Sequence, residues 1–293
     1  MTEMMIGCGQ ITWPRSTPEE QILAEIAQAG YAGAPVHSRG GRSAQEAVAL
    51  YARYGLKPAP GYLGADFWRA EKRDDIVKRA RVQARFMREC GCTELYVAAG
   101  GFEGYITASG KHRNQLAGHV GPDDGLTDAE FRQFADTLNR VGEITLRKGV
   151  RSCFHNHVGS VIETQDEIER LLSLVDPELL FLGPDTGHLA WASVDVVGFC
   201  RQYADRIKTI HVKDINAAVL QRGQKERWDY DTFARNGLFA ELGEGCVDLK
   251  ATFDILRAAR FCGWAIVETD VTQKSTALES ATISREHLKS LEL

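Results

Sequence analysis

Short apolar runs alternate with longer amphipathic segments along the whole chain. In the first half, the apolar runs at residues 5–10, 31–36, 56–61 and 94–98 have the length of buried strands. Between these runs, apolar residues recur every three or four positions, which is typical of helices that cover a sheet. This order predicts a parallel sheet with crossover helices.

The second half continues the same alternation. Strands are predicted at residues 151–154, 179–183, 207–210 and 264–267. Helices are predicted at residues 17–30, 43–55, 71–89, 127–149, 164–175, 193–203, 249–260 and 275–290. Eight strand–helix units without a break in composition predict an α/β fold, a single (β/α)₈ TIM barrel that forms one catalytic domain over residues 1–293.

Two long stretches contain no predicted element. Residues 100–126 are rich in glycine and polar groups, and residues 216–248 carry aromatic and basic side chains. Loops of this length inside a compact domain usually have a function. We expect both stretches to cover a site or to contact a second subunit of a homo-oligomer.

Composition and charge exclude several classes of protein. The net charge of −5 argues against a nucleic-acid partner, since such partners are bound by clustered Lys and Arg. No apolar run approaches the length of about 18 residues that a membrane helix needs, and the N-terminus lacks the pattern of a signal peptide. The seven cysteines form no CxxC motif, which favours free thiols and a cytoplasmic location.

Polar segments follow four consecutive predicted strands in the second half. They are HNH, DTGH, HVKD and ETD, and they begin at His155, Asp185, His211 and Glu268. Active sites of TIM barrels lie at the carboxyl ends of the strands, where these segments converge. A lone Asp or His at such a position is usually structural, but ligand-type residues on four neighbouring strands favour a shared site.

These side chains are suited to a divalent cation. Asp185, His211 and Glu268 offer two carboxylates and an imidazole, a set that suits Mn²⁺, Mg²⁺, Co²⁺ or Zn²⁺, with Mn²⁺ favoured. A fourth ligand is expected from the fifth strand or its loop, where His155 and Glu163 are the candidates.

The same motifs resemble those of the xylose-isomerase-like TIM barrel superfamily, which includes sugar isomerases and epimerases, endonuclease IV and inosose dehydratase. The superfamily match rests on DTGH, HVKD and Glu268. The runs FHNHVGS at 154–160, Glu163-Thr164 and ELGEGCVD at 241–248 are similar to those of inosose dehydratase relatives. With ITW at 11–13 and GYAG at 30–33, the resemblance spans nearly the whole chain.

The resemblance implies that Asp185, His211 and Glu268 bind the metal. Where the isomerases end strand five with Glu, this chain has His155, so the fourth ligand is expected to be Glu163. Pro35 is a second departure, because the superfamily often has Glu there. With the acidic balance, these two departures argue against the three-zinc site of endonuclease IV.

The implied function is a metal-dependent lyase that dehydrates a cyclic keto-polyol such as 2-keto-myo-inositol, in carbohydrate metabolism and inositol catabolism. The metal would bind the ketone oxygen and an adjacent hydroxyl. The base is expected among His155, His157 and Glu163, and the acid is His188 or His157. Lys213 would stabilise the enolate oxygen.

Two alternatives remain open at this point. A metal-dependent sugar isomerase or epimerase passes through a similar enediolate, but epimerases typically use a pair of metal-bound glutamates, which His155 argues against. A non-catalytic sugar-binding barrel would need a broken metal site. In every case the expected partner is a small carbohydrate or cyclitol, with neither nucleic acid nor membrane involved.

Overall fold

Parallel strands with helices outside them build the molecule. The computed structural model describes residues 4–293, so residues 1–3 of the predicted domain and of the N-terminus lie outside the described part. The strands are β1 Met5–Cys8, β2 Gly33–Pro35, β3 Lys57–Ala59, β4 Tyr62–Ala65, β5 Glu94–Ala99, β6 Arg151–His155, β7 Leu180–Leu182, β8 Ile210–Val212, β9 Asp214–Ile215, β10 Phe239–Ala240 and β11 Trp264–Val267.

The strands close into the predicted (β/α)₈ barrel through two joints. One sheet has the order β3-β2-β1-β11-β8 and the other β4-β5-β6-β7, all paired in parallel. Only residues 60–61 separate β3 from β4, so these two segments are one bent third strand shared by both sheets. Parallel bridges from Leu182 to Ile207 and from Asp185 to His211 join the sixth and seventh strands.

Helices occupy the predicted positions, with shorter bounds. Ser43, Thr127 and Thr164 cap α2, α4 and α5 through capping boxes, because each accepts the N–H of a Glu three residues later. Within residues 4–293 no helix is long and apolar enough to cross a membrane. The helices are α1 Glu19–Gln28, α2 Ala44–Ala52, α3 Arg73–Glu89, α4 Asp128–Leu146, α5 Gln165–Leu174, α6 Thr186–Trp191, α7 Val196–Tyr203, α8 Ala217–Glu226, α9 Tyr230–Arg235, α10 Leu249–Ala258 and α11 Ala277–Ser290.

The structure adds three helices that the sequence pattern did not predict. Helix α6 begins directly after Asp185, so the DTGH segment is a helix start as well as a strand end. Helices α8 and α9 lie in the 216–248 stretch, where Asn216 and Asp229 cap them. Helices α6 and α9 have only six residues each, and α8 buries only Gly223, so none of the three shows a clear apolar period.

A second apolar cluster holds both long connections over the carboxyl end of the barrel. It is separate from the main core between strands and helices, and Trp191 of α6 is fully buried in it. Ala117 comes from the 100–126 stretch, while Phe233 and Phe239 come from the 216–248 stretch. The two connections are therefore packed parts of the fold at the end of the barrel where its polar strand ends lie.

Asp214, the last residue of the HVKD segment, fixes the ELGEG segment to the start of β9. Its buried carboxylate accepts backbone N–H groups at 2.9 to 3.1 Å from four residues, Ile215, Gly243, Gly245 and Val247. A Cβ on Gly245 would lie 2.1 Å from Asp214 Oδ1, so the motif requires glycine there. The similarity of this motif to known sequences thus has a structural cause.

Replacing this carboxylate with an amide should destabilise the fold. In Asp214→Asn, the NH₂ group faces two backbone N–H donors, and each lost bond to a charged acceptor costs about 1.5–3 kcal/mol. We expect the free energy of unfolding in urea to fall by at least about 2 kcal/mol. Asp136→Asn, the same change on the exposed face of α4, is the control and should change it by less than about 0.5 kcal/mol. Equal stability of the two variants would contradict this role.

Candidate metal and active site

Three of the four polar strand ends line one cavity at the carboxyl end of the barrel, and Asp185 of the fourth is fully buried beside them. The volume of this cavity is about 660 Å³, within the usual range for small-molecule sites. A larger open depression of about 910 Å³ lies at the opposite end and contains none of the predicted site residues. The side chains that line the smaller cavity include Trp13, Tyr62, Tyr96, Phe102, His155, His157, His211, Lys213, Glu268 and Asp270.

Three of the buried residues present ligand atoms to one point. One atom each from His155, Asp185 and His211 lies within 4.8 Å of the others. Asp185 Oδ2 and His211 Nδ1 are buried without a well-aligned hydrogen bond among the described residues, although Lys213 Nζ forms an ion pair with Asp185 Oδ2 at 3.1 Å. Glu268 lies outside this group of three, but its Oε2 is 3.2 Å from His211 Nδ1. Because buried polar atoms of this kind are costly unless satisfied, the group fits a divalent cation with nitrogen and oxygen ligands.

Backbone groups orient two of these ligands. Asp185 caps α6 by accepting the His188 N–H at Oδ1, at 3.0 Å, which leaves Oδ2 turned to the group. His155 Nδ1 lies 3.3 Å from the carbonyl oxygen of Gly183. A carbonyl only accepts, so the Nδ1 of His155 carries the proton and Nε2 presents a lone pair, as is usual for histidine ligands.

Glu163 is placed differently from the expectation that it supplies the fourth ligand. It belongs to neither group of converging ligand atoms. Its Oε1 accepts the N–H of Gly118 at 2.7 Å, and its Oε2 accepts the N–H of Gly159 at 2.6 Å. Burial raises the pKa of Glu163 to about 7, against the opposing charge of Arg113 and these two bonds. The structure places His155 beside Asp185 and His211, whereas the Glu163 carboxylate binds the backbone N–H groups of Gly118 and Gly159.

A second group adjoins the first and contains His157, His188 and Asp270. The two imidazole rings have centroids 3.7 Å apart. His157 Nδ1 donates to the Val158 carbonyl at 2.7 Å, so its Nε2 holds the lone pair. Burial, and then the charge of Lys213, lower the pKa of His157 to about 4, so its ring is neutral near pH 7.

His188 is fully buried behind His157 and is not among the side chains that line the cavity. Its Nδ1 lies 3.4 Å from the Val158 N–H, and its Nε2 lies 3.4 Å from Lys213 Nζ. Burial lowers its pKa well below the usual value. The His188 ring therefore contacts His157 and Lys213 from their buried side and does not face the cavity.

Lys213 is the cation between the two groups. Its Nζ lies 2.8 Å from Asp270 Oδ1, 3.1 Å from Asp185 Oδ2 and 3.2 Å from Glu268 Oε2. Burial alone would lower the pKa of Lys213, but these carboxylates raise it well above the usual value. A buried, permanently charged ammonium at the cavity wall can stabilise negative charge on a bound molecule.

Asp270 and Tyr230 are site residues that sequence reasoning did not assign. Asp270 lies two residues after Glu268, a spacing that places both side chains on the same side of an extended segment. That spacing was a usable signal. Tyr230 comes from the 216–248 stretch, where its hydroxyl lies 3.4 Å from Asp270 Oδ2 and its ring stacks on His157. No local sequence pattern predicts contacts between residues as far apart in the chain as Tyr230, Asp270 and His157.

Inosose dehydratases are among the known proteins with similar sequences. The chain is 30% identical over 274 residues to the inosose dehydratase of Geobacillus kaustophilus (strain HTA426), covering 90% of this chain and 87% of that protein. It is 28% identical over 276 residues to the inosose dehydratase of Clostridium beijerinckii (strain ATCC 51743 / NCIMB 8052), covering 92% and 88%.

Solved structures with the same fold have more varied names. A probable 3-DHS dehydratase from Bacillus anthracis aligns with a TM-score of 0.72 at 14% identity, over 98% of this chain and 99% of that one. A 3-keto-D-glucoside 4-epimerase from E. coli aligns with a TM-score of 0.70 at 18% identity, over 99% of both chains. At these identities, the likeness concerns the fold alone.

The match to a family description covers most of the barrel. The family described as "Xylose isomerase-like TIM barrel" matches residues 23–292, which include every residue of the two ligand groups. This result confirms the resemblance that the DTGH and HVKD segments indicated. The chain belongs to the xylose isomerase-like TIM barrel family.

Proposed function

We propose that this enzyme is a metal-dependent dehydratase that acts on a cyclic keto-polyol such as 2-keto-myo-inositol. The names of its relatives across most of the chain support this reaction class. The structural observation that carries the proposal is the juxtaposition, in one cavity, of a ligand group, a neutral histidine and a charged lysine. Dehydration next to a ketone needs these three functions: polarisation of the carbonyl, proton removal and stabilisation of the enolate.

The metal would be held by His155, Asp185, His211 and Glu268. We favour Mn²⁺ over Co²⁺, Mg²⁺ and Zn²⁺, because carboxylates and imidazoles share the site without thiolates. When bound, such a cation supplies Lewis-acid polarisation of a ketone oxygen. In this proposal His155 takes the place that sequence reasoning had given to Glu163.

His157 would move the proton. Its Nε2 lone pair removes the hydrogen on the carbon next to the ketone, and the electrons of that C–H bond form the enolate. The ammonium of Lys213 stabilises the negative charge that develops. The protonated His157 then gives its proton to the neighbouring hydroxyl as the C–O bond breaks, so a C=C bond and one water are formed.

The fifth strand favours dehydration over epimerisation. An epimerase must return a proton to the opposite face of the same carbon, which requires a second acid–base group. At the position where the isomerases carry Glu, this chain has His155, whose Nε2 is directed to the ligand group. A histidine engaged with a metal cannot exchange that proton.

The proposal also includes what the sequence indicates about the domain, its location and its partners. Residues 1–293 would form one catalytic domain located in the cytoplasm, and its role would be in inositol catabolism. The partner would be a small cyclitol or carbohydrate. We expect neither nucleic acid nor membrane to be bound, and assembly into a homo-oligomer is consistent with the proposal.

Removing the metal should abolish activity reversibly. After dialysis against EDTA, we expect conversion of 2-keto-myo-inositol to stop, and Mn²⁺ to restore it, because the ketone is no longer polarised without a cation. Metal content is measured by elemental analysis on the same samples. In His155→Gln, Mn²⁺ affinity should fall by at least about 10-fold. Full turnover by protein shown to be metal-free would overturn the metal assignment.

Removing the proposed base should stop proton transfer without loss of metal. In His157→Gln, we expect kcat to fall by about 10²- to 10⁴-fold while Mn²⁺ binding is unchanged. The measurement is mass spectrometry of the product of 2-keto-myo-inositol, which should be lighter by one water in the wild type. A product of unchanged mass and altered stereochemistry would identify an epimerase instead.

A further inference from the structure

Glu163 is a buried carboxylate that the proposed reaction does not use. It lies in the loop after β6, and its two oxygens bind two different connections over the cavity. Gly118 belongs to the 100–126 stretch, and Gly159 belongs to the turn that carries His157. Both glycines have positive φ values, +73° and +84°, which direct their N–H groups to the carboxylate. One side chain thus ties the two connections together.

An ion pair keeps this carboxylate in place. Arg113, fully buried, forms two hydrogen bonds to Glu167 at 2.8 and 3.0 Å and donates to the Ser160 carbonyl. Glu167 Oε2 in turn accepts the backbone N–H of Glu163 at 2.8 Å. Because these groups are buried and paired, the backbone at Glu163 has little freedom to move.

The peptide group between Val158 and Gly159 connects Glu163 to His157. Its N–H donates to Glu163 Oε2 at 2.6 Å, while its C=O accepts from His157 Nδ1 at 2.7 Å. Since the peptide group is planar, the carboxylate at one end sets the direction of the carbonyl at the other. Hydrogen bonds in such a chain polarise one another, so the carboxylate strengthens the carbonyl as an acceptor.

We infer that Glu163 is a positioning residue for His157 and is not a metal ligand. Through the Val158–Gly159 peptide, it holds His157 in the tautomer with the proton on Nδ1 and the lone pair on Nε2. The catalytic part of this inference rests on the proposed function.

Glu163→Gln tests the inference with a side chain of the same size. Its amide has one oxygen, so one of the two glycine N–H groups would face an NH₂ donor. We expect kcat to fall about 10- to 100-fold with KM and Mn²⁺ affinity unchanged. In the His157→Gln background, the same substitution should have no further effect, because the two residues act as one unit. Loss of Mn²⁺ binding, or independent losses that multiply, would overturn the inference.

Two further variants keep the test specific. Glu163→Asp retains both carboxylate oxygens, so it should recover part of the kcat lost in Glu163→Gln; an equal loss in both contradicts the inference. Glu169→Gln makes the same change at a half-buried position of α5 outside the cavity lining, where the side chain bonds only to Gln165 among the described residues. It should leave kcat unchanged, and thermal unfolding of all variants reports their folding.

A readout without substrate separates this inference from the proposed function. Long-range ¹H–¹⁵N spectra of the metal-free protein report which nitrogen of each imidazole carries the proton. We expect His157 to show the Nδ1–H form in the wild type and a mixture of tautomers in Glu163→Gln. An unchanged His157 pattern in the variant would refute the positioning role. Failure of 2-keto-myo-inositol to react would refute only the proposed function.

Discussion

Burial of three carboxylates at one end of the barrel is the constraint that organises this site. Asp185, Glu268 and Asp270 all lie within ion-pair distance of Lys213. Three negative charges face the single positive charge of Lys213, while the buried imidazoles of His155, His157 and His188 have lowered pKa values. Burial raises the pKa of Asp185, although Lys213 and His211 oppose that shift. We propose that a divalent cation balances the remaining negative charge, because buried carboxylates are costly unless they are paired or bind a metal.

Contacts among the surrounding loops and helices fix the positions of the side chains in this site. Asp214 anchors the ELGEG segment, and Trp191 gathers the 100–126 and 216–248 stretches into one cluster over the strand ends. These connections deliver Gly118 and Tyr230 to the His157 side of the cavity. The barrel thus positions the ligands, whereas the long connections position the proposed acid–base histidine. Members of one fold family can run different reactions from similar metal sites in this way.

Much of this arrangement could be predicted from the sequence, because parallel strands converge at their carboxyl ends and the four polar segments lie on neighbouring strands. The grouping of Asp185 and His211 follows from that geometry. The position of Glu163 did not follow, since its partners are backbone N–H groups set by two glycines with positive φ. Nor did helices α6, α8 and α9, because α6 and α9 span only six residues each and α8 has no buried apolar face. The third strand is interrupted at Pro60, which has no N–H to donate, and it continues as Tyr62–Ala65 beyond the predicted end at residue 61.

The central claim is that one cation binds between the strands and that His157 stays outside its ligands. Anomalous X-ray diffraction at the manganese edge, from crystals of the Mn²⁺-loaded protein, locates that cation directly. We expect a single peak bonded to His155, Asp185, His211 and Glu268, with both Glu163 oxygens still on the N–H groups of Gly118 and Gly159. A peak bonded to His157, His188 and Asp270, or to Glu163, would contradict it.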